Sequence, residues 1–230
     1  MFDGTFRKPV DKAVKPLGQA LLKTGLSPDH LTIVGLVVGM LAGVAIGAGR
    51  LWVGAALVVL AALPDLLDGA LAKASGLSSQ RGAFFDSTVD RVTDMFLLGG
   101  IAWYFATDVD AAAELPILPF AIAGVSSLVS YQRAKAESLG IDAKGGLMER
   151  AERIIAILIG LVINVLLVPI LWLMLVLTTI TALQRFWKVW KQAAVAPVTQ
   201  QRIELRRSRR ANRRVALSER RRTSVPRRRR

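Results

Sequence analysis

The chain has 230 residues, 53% of them hydrophobic, and a mean hydropathy of +0.43. That length supports one domain and that balance is too apolar for an ordinary soluble one, so composition predicts an integral membrane protein and excludes disulfide staples and thiol catalysis, since cysteine is absent. The formal charge of +14 is a property of the end of the chain: residues 202–230 hold 14 Arg against Glu204 and Glu219, a local +12 that leaves +2 for the remainder.

Residues 1–30 carry Arg7, Lys8, Lys12, Lys15 and Lys23 among Phe2, Phe6, Val10, Val14, Leu17, Leu21 and Leu22 at roughly helical spacing. This predicts an amphipathic helix lying on an anionic lipid surface, broken at Pro9 and Pro16. A partner-binding helix is the alternative that the same pattern leaves open. No short apolar core with a cleavage site is present, so no signal peptide is expected. Ser27-Pro28-Asp29 has the form of a helix start, with Pro28 at the first helical position.

Residues 31–49 are uncharged and long enough to cross about 30 Å of hydrocarbon. Gly35, Gly39, Gly43 and Gly47 recur every four residues, a smooth face for close packing against another helix of this chain or of a second subunit. A second span begins near Leu51 and reaches Asp65 and Asp68 toward its far end; 74–81 reads as a loop, and a third span runs from Gly82 to about Ala106. A fourth occupies roughly 115–132, and 133–153 is charged. The 31 uncharged residues from Ile154 to Gln184 are too many for one crossing, so two spans are expected, turning near Val168-Pro169.

The expected fold is therefore all-α and membrane-integral, with six transmembrane helices. Its parts are a juxtamembrane segment (1–30), a six-helix domain (31–191) and an Arg-rich tail (192–230) too poor in apolar residues to fold alone. Lys and Arg concentrate in the N-terminal segment, the 73–81 loop, 133–153 and everything from Arg185 on, whereas the opposite side has only Arg50. Both termini and the 65–90 region are thus expected on the cytoplasmic side of the cell membrane. The tail is expected on anionic lipid or in solution, with nucleic-acid binding disfavoured.

Four carboxylates stand inside this apolar chain. Asp65 and Asp68 are three residues apart, Asp86 and Asp90 four apart, so each pair projects from one face of its own helix, and both pairs fall at the same membrane face. Four clustered anions repel unless hard divalent cations lie among them. With one His (His30) and no Cys, oxygen-only ligation favours Mg²⁺ or Mn²⁺ over zinc. Asp94 continues the row; pairing with an arginine is favoured over a role as fifth ligand. A carboxylate-lined cation transporter would also bury such acids, but it would not need Gly69, Ala72 and Gly82 at their spacings.

Written out, the pattern is D-x2-D-G-x2-A-K-x8-G-x3-D-x3-D, from Asp65 to Asp90. It resembles the signature of the CDP-alcohol phosphotransferases, departing only at Lys73, where that family usually has Arg; Lys keeps the charge but lacks the planar fork that grips phosphate in two places. The resemblance implies a CDP-linked lipid donor, generally CDP-diacylglycerol, a pair of metal ions, release of CMP, and a homodimer. It implies that Asp65, Asp68 and Asp86 are metal ligands, that Asp90 is a ligand or the general base, and that Gly69, Ala72, Lys73 and Gly82 line the nucleotide with Thr32 nearby.

Residues 130–155, SYQRAKAESLGIDAKGGLMERAERII, and the QRFWKVW stretch around Arg185 are similar to actinobacterial phosphatidylinositol-phosphate synthases. That similarity implies inositol 1-phosphate as the acceptor, with its phosphate held by Arg133, Arg153 and Arg185. Each of these can also be read as a charge flanking a membrane span. Glycerol 3-phosphate or phosphatidylglycerol is the alternative acceptor within the same reaction class.

Overall fold

The structure, a computed structural model, describes residues 28–75, 79–109 and 111–194, with backbone alone at 28 and 65–75. The expected 1–27 segment, and the tail from residue 195, lie outside the described residues. Among the described residues the protein is all-α: α1 (Pro28–Gly47), α2 (Leu51–Ser75), α3 (Gln80–Thr107), α4 (Ile117–Ser138), α5 (Arg150–Val162), a 3₁₀ turn (Asn164–Leu166) and α6 (Leu167–Ala193). The chain divides into two compact units, 1–186 and 187–230. In the second, the described residues are the last turns of α6, where the Lys191 ammonium sits 5.1 Å from the centre of the Trp187 ring.

The glycine row of α1 has its explanation inside the chain. A methyl group on Gly43 would overlap the Phe96 carbonyl, and one on Gly100 would overlap the Gly43 carbonyl, so α1 and α3 meet backbone to backbone. Gly39 faces Thr93 of α3, Gly47 faces Trp103, and Gly35 faces Ala61 and Pro64 of α2. Small residues permit this approach where any larger side chain would hold the helices apart. The row is therefore spent on α2 and α3 and is not a free face for a second subunit.

Helix ends follow local chemistry. Ser79 caps α3, its hydroxyl accepting the Gly82 N–H at 3.0 Å, so α3 begins at Gln80, two residues before the expected start. α4 ends at Ser138 with Leu139 as its cap, and Gly140 just beyond has the φ of +71° that suits that place; Ile141 N–H donates back to Ala136 O at 2.9 Å. The turn after α5 corrects the sequence reading. It falls at Ile163–Leu166, and Pro169 sits in the first turn of α6, where its missing N–H leaves no helical bond unmade.

The inward stripe of α6 is Leu167, Leu171, Met174, Thr178, Thr181 and Arg185, spaced three and four apart and buried, with Ile46, Leu98, Ile101, Ile122 and Leu161 completing the interior. Large apolar side chains also cover the outside, among them Trp52, Phe84, Trp103, Phe120, Trp172 and Leu173. So much exposed apolar surface is costly in water and favoured in hydrocarbon. Among the described residues two helical stretches, Asp29–Gly47 and Asn164–Ala193, are long and apolar enough to cross a membrane.

The α1–α3 contact makes a prediction. Gly43→Ala and Gly100→Ala should each destabilise the folded protein by about 1–3 kcal/mol through overpacking, measured as thermal unfolding in detergent. Gly99→Ala, where an added methyl meets nothing within 4 Å, should leave the unfolding temperature unchanged or raise it, since Ala favours a helix interior over Gly by up to about 1 kcal/mol.

Candidate active site

Thr32 of α1, Ala61 and Ala62 of α2, Asp86 and Asp90 of α3 and Arg150 of α5 line one cleft. Thr32 is buried, and Asp86 and Asp90 are partly exposed on a single face of α3. Gly82 stands one turn before Asp86; a methyl there would lie 3.9 Å from Asp29 Oδ1, so the first turn of α3 also borders α1. Asp65, Asp68, Gly69, Ala72 and Lys73 fall on the helical backbone of α2, just beyond Pro64, but their side chains lie outside the described residues. Among the described residues no three acidic or imidazole side chains converge as a metal-binding group.

From Asp90 and Arg150 in the cleft wall, charge continues behind it as an alternating chain. The Arg150 guanidinium reaches Asp90 Oδ1 with Nη1 at 2.8 Å and Asp94 Oδ1 with Nε at 3.5 Å. Arg153 Nη2 donates to Asp94 Oδ2 at 2.7 Å, and Arg91 Nη2 lies 3.5 Å from Asp90 Oδ2. The spacing explains the match: Asp90 and Asp94 are one turn apart on α3, Arg150 and Arg153 one turn apart on α5. Asp94 is thus paired with arginines of α5, whereas Arg91, three residues before it, turns to Asp90. Cations at a helix N-terminus oppose the helix dipole, so these two arginines owe their placement to the carboxylates of α3.

The loop between α4 and α5 delivers the arginines. Thr181 Oγ1 accepts the N–H groups of Leu147 and Met148 at 3.2 and 3.0 Å while donating to Leu177 O at 2.8 Å. Gly146 lies so close to Thr181 that a side chain would collide with it. Arg185 donates to Val129 O at 2.8 Å and Gly145 O at 3.1 Å, and lies 3.4 Å from Glu149 Oε1. The first residue before α5 is therefore tied to α6 and α4 together.

The three arginines expected around one phosphate have different surroundings. Arg153 and Arg185 are buried, 4% exposed each, the first on Asp94 and the second on backbone carbonyls. Arg133 is partly exposed on α4 and bonds Glu137 at 3.0 Å. Arg150 was not singled out by the sequence reading; its signal was the R-x-x-R of α5, complementary to the D-x-x-x-D of α3.

The donor chemistry fits a hard divalent cation: Asp86 and Asp90 offer carboxylate oxygens from one helix face, and no sulfur or imidazole lines the cleft. A cation there has to contend with the guanidinium already at Asp90 Oδ1.

Comparison with known proteins agrees with this picture. The CDP-alcohol phosphatidyltransferase family model matches residues 26–187. The chain belongs to that family and is an enzyme of its class, a transferase of phospholipid biosynthesis. The phosphatidylinositol phosphate synthase of Mycolicibacterium smegmatis is 33% identical over 183 residues, covering 76% of this chain and 82% of that protein. That of Corynebacterium glutamicum is 38% identical over 157 residues, 67% of this chain and 71% of its own. The crystal structure of Mycobacterium tuberculosis phosphatidylinositol phosphate synthase with CDP-DAG bound superposes with a TM-score of 0.72 at 32% identity, over 78% of this chain and 94% of that one. The same enzyme in complex with manganese and citrate gives 0.71 at 33%, over 77% and 88%.

Thr181→Val keeps the shape of the side chain but removes the acceptor of two amides. It should cost about 1–3 kcal/mol of stability and, in hydrogen exchange, deprotect Leu147 and Met148 ahead of the α1–α3 contact.

Proposed function

We propose that this enzyme transfers the phosphatidyl group of CDP-diacylglycerol to inositol 1-phosphate, giving phosphatidylinositol phosphate and CMP. The observation that carries this reading is the cleft lined by Asp86, Asp90 and Arg150, with Arg153 one turn further along α5 on Asp94, in a chain whose relatives are phosphatidylinositol phosphate synthases. A phosphorylated acceptor needs cations beside the reacting centre, and a plain alcohol does not.

In this reading Asp65, Asp68, Asp86 and Asp90 hold a pair of Mg²⁺ or Mn²⁺ ions. Bound metal supplies positive charge against the pyrophosphate. Thr32, Gly69, Ala72, Lys73 and Gly82 line the cytidine nucleotide; at Gly82 the absence of a side chain leaves the backbone open to a close neighbour. Asp90 takes the proton of the acceptor hydroxyl as its oxygen bonds to the lipid-linked phosphorus and the bond to CMP breaks. Arg133, Arg153 and Arg185 hold the acceptor phosphate, with Arg133 the most accessible of the three.

The six helices are read as membrane spans, with both termini and the cleft facing the cytoplasm. α5, with 13 residues, is about 20 Å long and relies on the 3₁₀ turn to approach the far side. Anionic lipid is the proposed surface for the N-terminal segment and the Arg tail. A homodimer would use a face other than the glycine row of α1, which α2 and α3 already cover.

The test is CMP release from CDP-diacylglycerol by purified protein in detergent, with inositol 1-phosphate, inositol, glycerol 3-phosphate and phosphatidylglycerol compared as acceptors. Inositol 1-phosphate alone should support turnover; a chelator should abolish it, and Mg²⁺ or Mn²⁺ restore it. Turnover with glycerol 3-phosphate or phosphatidylglycerol instead would overturn the acceptor assignment. Arg133→Ala should raise KM for inositol 1-phosphate roughly tenfold or more, the worth of one hydrogen bond to a charged group, with KM for the donor unchanged. Asp90→Asn should remove turnover while leaving the protein folded.

A further inference from the structure

We propose that Arg150 is a positioning residue that competes with divalent cation for Asp90 and thereby sets how tightly the site holds metal. The inference rests on the metal-dependent reading above. Arg150 straddles two carboxylates unequally, at 2.8 Å from Asp90 Oδ1 and 3.5 Å from Asp94 Oδ1. A cation arriving at Asp90 Oδ1 meets a positive charge on the same oxygen, and two cations at one carboxylate repel.

Arg150 has somewhere to go. Its Nε is already near Asp94 Oδ1, and closing 3.5 Å to hydrogen-bond length needs only a small shift of the side chain. It can release Asp90 without becoming an unpaired charge in an apolar setting, which would be prohibitive. Arg153 has no such freedom: it is 4% exposed and its short bond goes to Asp94 alone among the contacts described. The pair therefore divides the work. Arg153 fixes Asp94, and Asp94 provides the second seat for Arg150. A neutral side chain would suit the first position of α5 better than a cation, so the charge at 150 serves α3.

The measurement is Mn²⁺ affinity of the purified protein in detergent, read by electron paramagnetic resonance of free Mn²⁺ and independent of turnover. Arg150→Gln should tighten Mn²⁺ binding about three- to tenfold, the size of effect one nearby charge has at a partly exposed site. Asp94→Asn removes the second seat and should weaken binding, and this effect should shrink in the Arg150→Gln background, because the two substitutions act through one guanidinium. Should Arg150→Gln fail to fold, Arg150→Lys, with one donor centre in place of the fork, should show a smaller tightening.

A folded Arg150→Gln protein with a lower unfolding temperature but unchanged or weaker Mn²⁺ affinity would mean that Arg150 only pins α5 to α3, and would overturn the proposal. So would a full Asp94→Asn effect in the double variant, or unchanged affinity in Arg150→Lys. Wild-type protein that binds no Mn²⁺ would overturn the metal reading and this inference together, whereas wild-type binding with no change on substitution overturns this inference alone.

Discussion

Carboxylates inside an apolar helix bundle need positive charge within a few ångströms, and the architecture of this enzyme follows from supplying it. Asp90 and Asp94 of α3 receive theirs from Arg150 and Arg153 of α5. That requirement fixes the rotation of α5, because two arginines one turn apart must face two aspartates one turn apart. It also explains why the loop before α5 is tied so firmly. Thr181 and Arg185 of α6 hold its backbone from one side, and Arg185 reaches Val129 of α4 as well, so two helices besides α3 bear on where the guanidinium groups stand.

The acids themselves are placed by packing of the opposite kind. Where α1 crosses α3 there is no charge and hardly any side chain: Gly43 and Gly100 bring backbone against backbone. One end of the crossing is thus set by glycine, and the cleft with Thr32, Asp86 and Asp90 is lined toward the other. Electrostatics orients α5 on α3, and sterics orients α1 on α3. The cleft is what lies between the two.

Much of this was legible in the sequence. The apolar spans marked the helices, although α4 runs six residues past the expected end at 132 into the charged stretch, and the spacing of the acids marked the face of α3 on which Asp86 and Asp90 lie together. Two features escaped for definite physical reasons. Pro169 reads as a break, yet proline is tolerated in a first turn, so the chain reverses earlier, at Ile163–Leu166, and Pro169 rides inside α6. Arg150 shows only as one half of the R-x-x-R of α5, a weak signal, because a cation beside a membrane span looks the same whether it faces water or a carboxylate 60 residues back in the chain. The glycine row was visible as a packing face, but a period of four does not name the helix it meets; the α3 side of the contact, Gly100, has no partner glycine at the same spacing.

The crossing of α1 and α3 acts as a fulcrum. Thr32 lies eleven residues from Gly43, about 16 Å along the helix, so a wedge of one methyl group at the crossing would be felt as tilt at the cleft. Gly39 against Thr93 and Gly35 against Ala61 and Pro64 carry the same close packing on toward Thr32. The bare backbone at Gly43 and Gly100 thus works like a thin spacer between two plates, one whose thickness a single methyl group would change.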